Sequence, residues 1–318
     1  MLITVGLQLL IGCGSAATSA PAHLTPAASR QLGPLAGTAC NARQLWSATA
    51  YPMSRVITAD LLKTAQRHGA SLPDDPQARA TLEKAVRSAV FWWTIRSLTV
   101  TGQRHNAAAL PLSGLKTRDG RALWLVRSGY TANPASVGSC FHGLVHQGGV
   151  RHVLNLYDGE MVTADLDDAE AKVVTTTGGT YLHATKGGWR DDMRHAWKAW
   201  HDAKDTTRAP ELRATYLRSR AAASASVAKL INQTLLRPNG QRPTGHLHVH
   251  CGGGMHRTGM VVGVLDRCAN GAAMARIAAD YKRHVGWRSV AEPGGFEAQN
   301  LDFIAHFPCQ KLGLSLRK

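Results

Sequence analysis

The segment His250-Cys251-Gly252-Gly253-Gly254-Met255-His256-Arg257-Thr258-Gly259 sets a thiol and a guanidinium at the two ends of a short glycine-rich stretch, with a hydroxyl directly after. A phosphate monoester carries about two negative charges at neutral pH, so a site for one needs several donors converging on a point. Successive backbone N–H groups in a tight loop form such a nest, and the N-terminus of a following helix adds to it. Gly252, Gly253 and Gly254 allow the backbone to turn and to approach a ligand closely. Arg257 can close the ring with a planar fork holding two oxygens. Cys251, facing the same field, is expected to be a thiolate at neutral pH and to take a phosphoryl group, which splits one hydrolysis into two displacements. The backbone from Gly252 through Gly253, Gly254, Met255 and His256 to Arg257 is the expected phosphate cradle, and Thr258 can donate a hydrogen bond to the sulfur when it leaves.

That chemistry requires a strand that delivers the loop and a helix that receives it. His246-Leu247-His248-Val249-His250 alternates as a strand does, with Leu247 and Val249 on one face. Thr258 to Arg267 is apolar enough for a buried helix, and Gly271 supplies its stop. Further strands are expected near 123–127, 152–157 and 179–184, with helices between and after. Strands alternating with helices imply an α/β fold, a mainly parallel central sheet flanked by helices. Such sheets place ligands at the carboxyl ends of their strands.

The ten-residue segment resembles the HCxxGxxR[ST]G signature of the protein tyrosine and dual-specificity phosphatase superfamily, and every fixed position is present. Leu125-Val126-Arg127-Ser128-Gly129 resembles the strand and turn near the start of compact members, and Gly149-Val150-Arg151-His152-Val153-Leu154-Asn155-Leu156 is similar to their GI-x-x-V-I-N-L strand. The resemblance extends over about residues 121–310 and is specific only at the loop. It implies a phosphocysteine intermediate on Cys251, phosphoryl binding by Arg257, assistance by Thr258, ordering of the loop by His250, and no metal or cofactor. Gln299 falls where some relatives hold a water-positioning glutamine, although on its own it reads as a polar residue of a helix surface.

Relatives protonate the leaving oxygen with an aspartic acid on a Trp-Pro-Asp loop. Trp189-Arg190-Asp191-Asp192 resembles that loop, with arginine in place of proline, and makes Asp191 the first candidate. It stands farther upstream of the cysteine than the family's acid does, and Met193 to Arg220 reads as an inserted amphipathic helical segment. Asp192, Asp202 and Asp205 remain candidates.

Lys plus Arg number 37 against 21 Asp plus Glu, a formal net charge of +16. Such a field steers anionic ligands. The cations are dispersed and no aromatic-interleaved module accompanies them, so specific nucleic-acid binding is not expected. Arg190, Arg194, Lys198, Lys204, Arg208, Arg213, Arg218 and Arg220 can form a basic rim or a solvated face. His246, His248 and His250 share one strand side, but no further cysteine or carboxylate pattern makes them a metal site. His256 before the arginine is similar to the G-K-H-R-T-G ending of plant and fungal phosphatases acting on inositol pyrophosphates, with Met255 replacing their lysine.

Residues 2–12 are apolar and too short to span a bilayer. Leu10-Ile11-Gly12-Cys13 looks like a bacterial lipobox, although no Lys or Arg precedes Arg30. The reading is a signal peptide over 1–12, a flexible tether lipidated at Cys13 over 13–40, a helical N-terminal extension over 41–120 and a phosphatase domain over 121–318. The protein is then exported and lipid-anchored at the periplasmic face of the envelope. Cys40, Cys140, Cys268 and Cys309 allow two disulfides in any of three pairings. In the extension, helices are expected near Ser54–His68 and Pro76–Ser97, with Phe91, Trp92 and Trp93 as core residues. The expected activity is phosphoric monoester hydrolysis on a phosphorylated protein. The alternatives are an inositol phosphate or phosphoinositide substrate, and a catalytically silent phosphate-binding envelope module.

Overall fold

The computed structural model describes residues 33–40, 47–100, 105–131, 133–157, 164–184, 189–285 and 296–314. Five strands form one sheet: β1 (Ala108–Lys116), β2 (Ala122–Ser128), β3 (Val150–Asn155), β4 (Thr180–His183) and β5 (His246–His250). Their order is β1-β2-β5-β3-β4, with β1 antiparallel to β2 and every other neighbouring pair parallel. β5 therefore lies at the centre. Its hydrogen bonds to β2 and β3 leave no free edge, which holds the end of β5 still.

Alternation in the strands divides the core between the two faces of the sheet. Leu123, Leu125, Leu154, Leu247 and Val249 belong to one cluster, while Val126, Val150 and Val153 belong to the other. The described helices are α1 (Ser47–Arg67), α2 (Pro76–Val100), α3 (Cys140–His146), α4 (Ala164–Thr175), α5 (Trp189–His201), α6 (Ala209–Leu230), α7 (His256–Asn270), α8 (Met274–Val285) and α9 (Phe296–Ala305). The Leu247 face packs on α5, α6, α7 and α9 through Met193, Tyr216, Val261, Leu265 and Phe303. The opposite face is covered by α3 and α4 through Phe141, Leu144, Val173 and Val174. The expected α/β class is present, with helices on both faces of a mostly parallel sheet.

Several expected boundaries differ. β1 lies within the stretch read as a helical extension over 41–120, after its two helices. Its buried residues, Leu112 and Leu115, are spaced irregularly around a register shift and give no clean period-two signal. Residues 33–40, read as the end of a flexible tether, are packed. Pro34, Leu35 and Cys40 are buried, and Cys40 is joined to Cys140 at the start of α3. The second disulfide pairs Cys268 with Cys309. Trp93, expected in the core, is 54% exposed, whereas Phe91 is buried. The stretch read as an insertion is the antiparallel pair α5 and α6, locked by Trp197, Trp200 and Tyr216. Among the described residues no helix is long and apolar enough to cross a membrane. The lipidation candidate Cys13 and the leader over 1–12 lie outside the described residues.

Candidate active site

β5 ends at His250 and α7 starts at His256, so residues 251–255 form the turn at the carboxyl end of the central strand. The carbonyls of Gly252 through Met255 are each taken by a partner outside the turn. Gly252 O accepts from Tyr130 N at 2.9 Å, Gly253 O from Asn106 Nδ2 at 2.9 Å and Gly254 O from Arg127 Nη2 at 2.7 Å. Met255 O accepts from Gly259 N at 2.8 Å in the first turn of α7. In a trans peptide the carbonyl and the following N–H point in opposite directions. Carbonyls drawn outward thus aim the N–H groups of the next residues inward, where Cys251 sits. The arrangement is an anion nest opening on a helix N-terminus.

Two glycines are required by space and dihedral. Gly254 has φ +63, and a Cβ there would stand 2.4 Å from Ser128 O. At Gly252 the ring of Tyr157 lies 2.6 Å from where a Cβ would be.

Cys251 is buried and is the free cysteine among the described residues. Burial pushes its thiol pKa up. The Arg257 charge, the Thr258 hydroxyl and the backbone N–H groups of Thr258 and Gly254 outweigh that, leaving it below the ordinary value. The inward-facing Gly254 N–H is the one that the outward Gly253 carbonyl dictates. Thr258 Oγ1 is buried with no partner of full hydrogen-bond geometry among the described residues, so its effect on the sulfur is electrostatic more than a well-aligned bond. Arg257 is held beside the loop by a hydrogen bond that its Nη1 donates to the Leu156 carbonyl at the end of β3.

A second guanidinium lies beneath the loop. Arg127 is buried in β2, its pKa pulled down to about 10 by burial and supported by Asp280 and by Cys251, so it remains a cation at neutral pH. His250 is fully buried, with its Nε2 3.1 Å from Glu170 Oε2. The pair is close in distance but outside hydrogen-bond alignment, since neither ring nitrogen has an aligned partner. His250 is therefore lodged by Glu170, by the His248 ring stacked at 5.0 Å and by the edge of Tyr130. Tyr181 donates to the same Glu170 oxygen at 2.9 Å. Nearby, Asp167 accepts from Asn155 Nδ2 at 2.9 Å and from the Tyr130 hydroxyl at 3.3 Å, and sits 2.9 Å from His183 Nδ1.

The other candidates scatter. Asp191 and Asp192 are exposed on the first turn of α5, with Asp191 3.6 Å from Arg190. To the larger lowering of the His256 pKa by burial, Arg190 adds a minor one. Asp202 pairs with Lys198, and Asp205 accepts from the Thr207 backbone at 2.9 Å. His256 is mostly covered and stands 3.7 Å from Glu297. Burial lowers its pKa and Glu297 opposes that. Of the expected basic rim, Arg213 lies over the Trp200 ring and Arg220 pairs with Asp302 at 2.7 Å. Gln299, read as a surface residue, is fully buried, and neither amide atom has a partner among the described residues. It lies on α9, which packs against α7 and so turns inward a face that the sequence alone leaves unspecified.

Asn106, Tyr130, Tyr157, Asp167 and Glu170 had not been singled out from the sequence. No spacing ties them to Cys251. Arg127 carried a signal, a charge inside an apolar strand, which only a buried partner can explain. No family model, curated protein or solved structure matches the chain.

Proposed function

We propose that this chain is a cysteine-dependent phosphoric monoester hydrolase of the protein tyrosine or dual-specificity type. The observation that carries the reading is the nest itself, with inward N–H groups around a thiol whose pKa is lowered by Arg257, Thr258 and the loop backbone. In the first displacement Cys251 Sγ bonds to phosphorus as the phosphorus–oxygen bond to the leaving group breaks. The nest and Arg257 hold the charge spread over the equatorial oxygens. The leaving oxygen needs a proton, and Asp191, exposed on the first turn of α5 beside Arg190, is the proposed donor. In the second displacement water attacks phosphorus while passing a proton to the Asp191 carboxylate, and the sulfur leaves as a thiolate, which Thr258 favours. The two disulfides among the described residues support an oxidising compartment, in line with export and attachment through Cys13.

The test is phosphate release from phosphotyrosine peptides and, separately, from inositol hexakisphosphate, with Cys251→Ser alongside. Turnover of the peptides that vanishes in Cys251→Ser is the expected result. Preference for the inositol compound transfers the reading to an inositol phosphate substrate. Release from neither above the Cys251→Ser background leaves a phosphate-binding module.

A further inference from the structure

The outward carbonyls of Gly253 and Gly254 are not held by secondary structure. Each is held by one buried side chain brought from a distant part of the chain. Asn106 is fully buried with φ +53. Its Nδ2 donates to Gly253 O at 2.9 Å and to His284 O at 3.3 Å, and its Oδ1 is 2.8 Å from His284 Nδ1. A side-chain amide satisfied at both ends has little rotational freedom, so its donor is fixed on the Gly253 carbonyl. Arg127 is tied in a comparable way, with Nη2 on Gly254 O and Nη1 3.4 Å from Asp280 Oδ2 on α8.

Both contacts meet the loop from the side opposite its N–H groups. A glycine-rich turn with unheld carbonyls would sample many conformations, because glycine loses the most freedom on ordering. Ordering it only when an anion arrives would subtract that cost from binding. Neither Asn106 nor Arg127 needs to touch a substrate to act this way.

We infer that Asn106 and Arg127 are positioning residues that clamp the Gly253 and Gly254 carbonyls outward, so that the anion nest stands formed before a phosphate binds. The inference rests on the phosphate-site reading of the Cys251 loop. A charge-assisted contact from Arg127 also polarises the Gly254 peptide, which strengthens what the following N–H offers an anion.

The experiment uses the full chain and follows alkylation of Cys251 by iodoacetamide across pH, read on the Cys251 peptide by mass spectrometry, with and without orthovanadate. The variants are Asn106→Gly, which suits the positive φ and removes the amide with its contacts to Gly253 and His284, Arg127→Met, and Arg127→Lys, which keeps a cation and a donor. Thermal melts identify any variant that does not fold, and the conclusion is then drawn from the other position. The expected result is an alkylation midpoint raised by about one pH unit in Asn106→Gly and Arg127→Met, with vanadate protection weakened at least about tenfold. Arg127→Lys is expected to lie between Arg127→Met and native. A merely structural role would lower the melting temperature and leave midpoint and protection unmoved. Folded Asn106→Gly and Arg127→Met proteins with native midpoints and native protection overturn the inference. An ordinary native midpoint without vanadate protection instead overturns the phosphate-site reading itself.

Discussion

At Cys251 two opposing effects meet: removal of the thiol from water, and a converging set of one guanidinium, one hydroxyl and two backbone donors. The second wins, so the thiolate persists below the ordinary thiol range of about 8.5. The native alkylation rate is expected to fall only as pH drops through that lowered value. Arg257→Ala should move the midpoint upward, and an unchanged midpoint would contradict the assigned balance. Gly254 tests the loop from the backbone side. Gly254→Ala sets a methyl 2.4 Å from Ser128 O at φ +63, adding about 1–3 kcal/mol of backbone strain to a contact that cannot relax without moving β2. Denaturant melts should show that loss, together with weaker vanadate protection of Cys251.

The elements divide the work unequally. β5 delivers the cysteine from the middle of the sheet, where two parallel neighbours restrain it. α7 receives the loop and is stopped by Gly271 in the left-handed conformation, φ 67. α4 reaches the site indirectly, since Glu170 and Asp167 hold His250 and Tyr130, and Tyr130 holds the Gly252 carbonyl. α5 carries Arg190 and Asp191 and packs on α6 with Trp197 seated edge-on against Tyr216, 4.9 Å between centroids. Trp197→Ala should cost about 3–5 kcal/mol, measured by denaturant unfolding, because a buried indole is removed from the packed seam between α5 and α6. A loss within error of zero would show that α5 is held elsewhere.

Across the whole molecule, buried histidines link stability to pH. His152 and His246 have pKa values lowered to about 4, chiefly by burial and then by neighbouring arginines, and His248 and His284 are lowered well below the ordinary value. A folded-state pKa below the unfolded value of about 6.5 means that the unfolded chain binds more protons as pH falls. Stability from His152 and His246 is therefore complete above about pH 6.5 and is lost progressively toward about pH 4. Urea midpoints measured across that window should fall with pH. Flat midpoints would show that these side chains stay hydrated.

The local chemistry was legible along the chain: a thiol, three glycines, an arginine and a hydroxyl in an order that suits an anion, on a strand that alternates and ahead of an apolar helix. Those features are written in neighbouring residues, and β5 ends where the alternation ends. How the loop is held follows instead from contacts across the fold. Asn106, Arg127, Tyr130 and Glu170 reach it from other strands and helices, and contacts across such separations leave no periodicity to read. The same holds for β1, whose irregular pattern gains meaning only beside β2, for Gln299, buried by the packing of α9, and for the pairing of Cys40 with Cys140. Spacing along a chain encodes faces and turns, whereas hydrogen-bond partners across the core are chosen by packing.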